Sequence, residues 1–141
     1  MEANHQRILA RMSIADVHRH INRKEVAIQE AQRILDNCND LVQSGEEECR
    51  RLDDHVADIK RQGDEMRDIL RNGGEDAHEV RRELEKNEHH QAAAENSANT
   101  MRLLLGRARN SQQSYTDVLR VLQGEVQQLR VRENELRAMD N

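Results

Sequence analysis

Apolar side chains recur along this chain at alternating steps of three and four residues, from Ile14 to Leu136. Taking Ile14 as position a and Val17 as position d of a seven-residue repeat, the a series carries Ile14, Ile21, Ile28, Leu35, Val42, Val56, Leu70, Leu84, Leu105, Leu119 and Val126. The d series carries Val17, Leu52, Ile59, Met66, Val80, Met101, Tyr115, Leu122, Leu129 and Leu136. Of the 36 a and d positions, 28 are apolar; the exceptions are Lys24, Asn87, Gln91, Gln112, Glu133 and three glycines. Only 35% of the whole chain is hydrophobic, so the enrichment marks one face of a helix. A 3.5-residue period places these side chains on a single seam that demands another helix. They are the candidate helix–helix interface.

The period predicts an all-α protein: a long heptad-repeat coiled coil, extended or bent, with residues 1–141 as a single rod. Ser13 or Asn4 is suited to cap the first helix. Asn72-Gly73-Gly74 is a turn signal near the midpoint. An antiparallel αα-hairpin turning at 72–74 is therefore the alternative, with Gly73 and Gly74 as the hinge or turn. Against a turn, the repeat passes through without losing phase: Leu70 is a, Gly73 is d and Ala77 is a. Gly45 and Gly63 fall on the seam as points of close approach or flexibility. Between Asn87 and Asn99 the seam weakens. Polar Asn87 and Gln91 there, with Gln112 further on, are candidates for fixing register or partner choice, at a cost in stability.

Composition sharpens this picture. The chain has no Pro, Trp or Phe, and Tyr115 is its one aromatic residue. A globular core normally uses rings for much of its buried area, whereas a helical seam does not need them. The net charge of −5 argues against general nucleic-acid binding. No apolar run approaches the roughly 20 residues that span a bilayer. Met1 to Arg11 lacks the apolar block of a secretory signal. Cys38 and Cys49 are eleven residues apart, roughly 16 Å on one helix, which is beyond disulfide reach. They read as buried thiols of a cytosolic protein.

The g positions widen the apolar stripe with Ile34, Leu41, Ile69, Leu104 and Val118. In a parallel homodimer, g faces the following e, and Glu48/Asp53, Glu83/Glu88 and Arg132/Arg137 would repel. Both features favour a heteromeric or three-to-four-helix assembly over a simple homodimer. Six acids between Glu46 and Asp58, and six arginines between Met101 and Arg132, form patches that suit complementary surfaces.

Candidate chemistry is absent by this reading. Glu85 and His89 share a helix face without a convergent third ligand, and Gly73-Gly74 lacks the rest of a phosphate loop. No catalytic residue, cofactor, metal or small-molecule substrate is expected. The order Arg33, Leu35, Gly45, Leu52, Asp53, Ile59, Gly63 and Met66 resembles a glutamine-class SNARE motif of the soluble, synaptosome-associated type. That resemblance implies two helices contributed to a four-helix bundle; His55 stands where the central glutamine would be. The expected function is that of a non-enzymatic scaffolding subunit in an intracellular cytoskeletal or ciliary-type assembly. Its expected setting is cytoplasmic and cytoskeleton-associated, with other α-helical proteins as partners. The alternative is a soluble SNARE-like helix-bundle protein in vesicle fusion or tethering.

Overall fold

The first helix starts where local chemistry allows it to start. The Ser13 hydroxyl accepts the Asp16 N–H at 3.2 Å, and Asp16 accepts from the Ser13 N–H at 3.4 Å and its hydroxyl at 2.9 Å. This reciprocal capping box satisfies donors that open every helix. In the computed structural model, which describes residues 13–73 and 76–139, helix α1 then spans Ile14–Arg71 and helix α2 spans Ala77–Met139. Asn4 and Gly74, named above as a second cap and as half of the hinge, lie outside the described residues.

Helix α1 ends at a glycine. Gly73 adopts φ +70°, the left-handed conformation that side chains with a Cβ resist. Its N–H reaches the Leu70 carbonyl at 3.4 Å, while Asn72 closes the last regular turn onto Asp68 at 3.1 Å. That is one of the two bonds of a Schellman ending. Helix α2 begins as the Asp76 carbonyl accepts the Val80 N–H at 3.0 Å, with Glu79 adding negative charge in the first turn.

Between these ends the chain reverses, and α2 returns along α1 as an antiparallel hairpin. The expected extended coiled-coil rod, with its continuous or bent helix, is corrected by this reversal. The pairs that demonstrate it run in opposite directions, Glu46 with Arg109 and Arg67 with Glu88. Phase carried across the glycines was no evidence for continuity. A helix that turns back packs about its own axis, so any phase of the second arm is compatible with packing.

The hairpin divides into two units, a terminal unit (Met1–Asn39 with Asn110–Asn141) and a turn unit (Asp40–Arg109). The terminal unit buries Val17, Ile21, Val126 and Leu129 together, flanked by Ile28 and Leu136. The turn unit buries Val42, Cys49 and Leu105, flanked by Met101 and Ala108. Each wholly buried aliphatic side chain contributes about 1.5–3 kcal/mol. No described helix is long and apolar enough to cross a membrane.

Candidate helix-docking face

Every buried residue among the described ones occupies an a or d position. Of the candidate interface residues, Val17, Ile21, Val42, Ile59, Leu105, Leu119, Val126 and Leu129 are buried. Ile14, Ile28, Leu35, Leu52, Val56, Met66, Leu70, Val80, Leu84, Met101, Tyr115, Leu122 and Leu136 are half-buried. The seam of α1 therefore meets the seam of α2 within one chain, and this surface is already used. Cys38 and Cys49 are buried free thiols on it. Glu133, at an a position, is held by Arg137 at 2.8 Å and by His18 at 3.4 Å.

The three register candidates are placed differently. Asn87 is only 5% exposed and donates to the Ile59 carbonyl across the hairpin at 3.0 Å. Gly63 makes room for it: a Cβ there would stand 2.7 Å from Asn87 Oδ1, which has no hydrogen-bond partner. Gln112 also bridges the helices, donating to Asn39 Oδ1 at 2.7 Å. Gln91 does not; its amide turns along α2 to Glu95 at 3.2 Å.

On either side of the seam the two edges differ in chemistry. The e edge is a charged ladder. In the terminal unit, Glu25 pairs with Arg130 at 2.6 Å, and Arg137 lies 3.0 Å from His18. In the turn unit, Glu46 pairs with Arg109 at 3.1 Å, Asp53 with Arg102, Lys60 with Glu95 at 3.4 Å and Arg67 with Glu88 at 3.8 Å. Each seven-residue step up α1 is matched by seven residues down α2. Parts of the acidic and basic patches thus pair with each other inside the chain. The like-charge g–e repulsions of a parallel dimer do not apply, because e faces e here. Such exposed pairs contribute at most about 1 kcal/mol each.

The opposite, g-side edge is mixed: Lys24 and Glu125 pair across it, and Glu48, Glu83 and Arg132 stand at g among exposed apolar side chains. Among the described residues nine large hydrophobic side chains are exposed: Leu41, Ile69, Leu104, Val118 and Met139 at g, Val121 at c, and Val26, Leu103 and Val131 at the outward-facing f. None of these nine stands at e or b. In the turn unit this face also holds an open groove of about 730 Å³. Leu52, Ile59 and Ala94 line its floor, Ala93 and Ser97 one wall, and Arg51, His55 and His90 part of its rim. Beside the groove, Arg51 donates to Glu48 through two nitrogens, holding the Glu48 carboxyl below its usual range. The sequence singled out the apolar g residues; the groove, formed by small α2 side chains opposite α1, required the pairing of the helices to appear.

Among the described residues no three His, Cys, Asp or Glu side chains converge as metal ligands. No family model matches this sequence, and neither curated proteins nor solved structures give a significant match. The SNARE resemblance therefore rests on its own eight residues. Of those, Leu35, Gly45, Leu52, Ile59, Gly63 and Met66 lie on the a/d face that α1 turns toward α2.

Proposed function

We propose that this chain is a helix-bundle interaction protein, which contributes a preformed pair of helices and receives further helices on its g-side face. One observation carries the reading: among the described residues, six of the nine exposed large hydrophobic side chains lie at g or c and none at e or b, while the e edge is closed by ion pairs. An edge closed by ion pairs on one side, and exposed leucines and valines set among polar residues on the other, suits a helix pair that belongs to a larger bundle. Association is the activity this surface supports, with α-helical proteins as the partner class. A soluble helix-bundle protein of the SNARE-like type fits this geometry better than a cytoskeletal or ciliary scaffold, for which nothing in the structure gives support. The vesicle fusion or tethering context rests on the resemblance alone.

The test is the native mass of the tagged chain in extract. Wild type should migrate above a single hairpin, and Leu104→Asp with Val118→Asp should return it to that size. Arg109→Ala, on the e edge, should leave it unchanged. A wild-type chain that migrates as a lone hairpin, or an equal response to both edges, overturns the proposal.

A further inference from the structure

The apolar face of the turn unit has a polarity that points to what covers it. Leu41 and Leu104 protrude at one end, 62% and 48% exposed. The groove floored by Leu52, Ile59 and Ala94 lies at the other end, toward the turn. Leu104 and Ser97, on the groove wall, are seven residues apart, about 10 Å along α2. Knob and hole therefore sit side by side on one surface, roughly two helical turns apart.

We infer that the occupant of this face is a second copy of the chain, seated antiparallel, so that the Leu104 of each copy enters the groove of the other. A two-fold axis crossing the helices between knob and hole exchanges the two features, which is what an isologous interface requires. The charges at the edge of the groove agree with this. Glu48 at g and Arg51 at c are bonded to each other midway between Leu41 and the far end of the groove. Antiparallel copies bring the Glu48 of each toward the Arg51 of the other, so the pair is complementary to itself. The assembly has four helices, the number that the broad apolar stripe calls for, and needs only one kind of chain. The argument against identical partners came from like charges in a parallel arrangement, which the hairpin removes.

This inference rests on the bundle reading and narrows it, and one set of measurements separates the two. Sedimentation equilibrium of the purified full chain should give twice 16.4 kDa at micromolar concentration. Leu41→Glu with Leu104→Glu should weaken self-association at least tenfold, as should Ser97→Leu, which fills the groove. Glu48→Arg should also weaken it, and adding Arg51→Glu should restore it, because the pair is then re-formed with reversed signs. Helical circular dichroism and melting of each variant confirm that the hairpin itself is intact. A purified chain that stays at 16.4 kDa up to hundreds of micromolar overturns the second-copy inference. If the same chain still migrates as a larger species in extract, the bundle reading stands with an unlike partner; if not, both fall. A dimer indifferent to the knob, groove and charge variants uses another surface and also overturns the inference.

Discussion

A glycine and an asparagine placed 24 residues apart in sequence act as one unit. Asn87 reaches the Ile59 carbonyl because Gly63, one turn beyond that carbonyl, has no side chain to cover it. In an open helix, Gly→Ala adds about 1 kcal/mol of stability. At Gly63 the added methyl meets the buried Asn87 oxygen at 2.7 Å, so Gly63→Ala should instead destabilise by about 1–3 kcal/mol. Gly124→Ala, which meets open space, should stabilise. Urea unfolding of both, and of Gly63→Ala with Asn87→Ala, will report the coupling; equal signs for the two glycines would refute the slot. Adjacent leucines provide a second contrast. Leu105 is buried against Gly45, whereas Leu104 is 48% exposed. Leu105→Ala should cost about 2–5 kcal/mol and Leu104→Ala under about 0.5 kcal/mol in hairpin stability. The face that each residue takes was legible in the heptad, because burial follows helical period. The slot at Gly63 was not, because its other half lies on the returning helix.

The cap that opens α1 and the glycine that stops it decide the architecture. Ser13 and Asp16 open α1. Ser13→Ala should lower stability by about 1 kcal/mol. The bond from the Ser13 hydroxyl, then the Ser13 N–H and Arg19, holds the Asp16 carboxyl below its ordinary range. A lowered folded-state pKa gives stability that is present above the unfolded-state value and lost as pH falls through the folded value. Asp16→Asn should therefore be less stable than wild type at pH 7, and the gap should close as pH falls below the ordinary carboxylate range and the folded-state carboxyl takes up its proton. A gap that widens on acidification would contradict the cap. At the other end, Gly73 in its left-handed conformation stops α1. The sequence contained this signal, yet the unbroken phase of Leu70, Gly73 and Ala77 pointed the other way. Periodicity reports which side of a helix is apolar and is blind to whether the axis continues. Turn chemistry was the more direct physical evidence, since it concerns backbone angles at the position itself.

For the whole molecule, the separation in sequence between paired residues grows steadily away from the turn. Arg67 and Glu88 close a loop of 21 residues, whereas Glu25 and Arg130 are 105 apart. Closing the longer span first costs about 1.4 kcal/mol more in chain entropy. Pairing near the turn should therefore precede pairing near the termini. Ile59→Val should slow folding, while Ile21→Val should mainly accelerate unfolding, as stopped-flow chevrons will show. The reverse pattern would mean that the termini nucleate the hairpin. At this scale the sequence disclosed its acidic and basic stretches but not their partners. Asp53 and Arg102 are 49 residues apart, and only the reversal makes them neighbours.

The ladder of the turn unit changes sign partway along. Acid lies on α1 and base on α2 at Glu46/Arg109 and Asp53/Arg102; base lies on α1 and acid on α2 at Lys60/Glu95 and Arg67/Glu88. Had one polarity persisted throughout, α2 could slide by a heptad and recover nearly every attraction. With the inversion, sliding one way sets Asp53 against Glu95, and sliding the other way sets Lys60 against Arg102. The strip works as a vernier: each rung is weak, but their order makes misalignment in either direction costly.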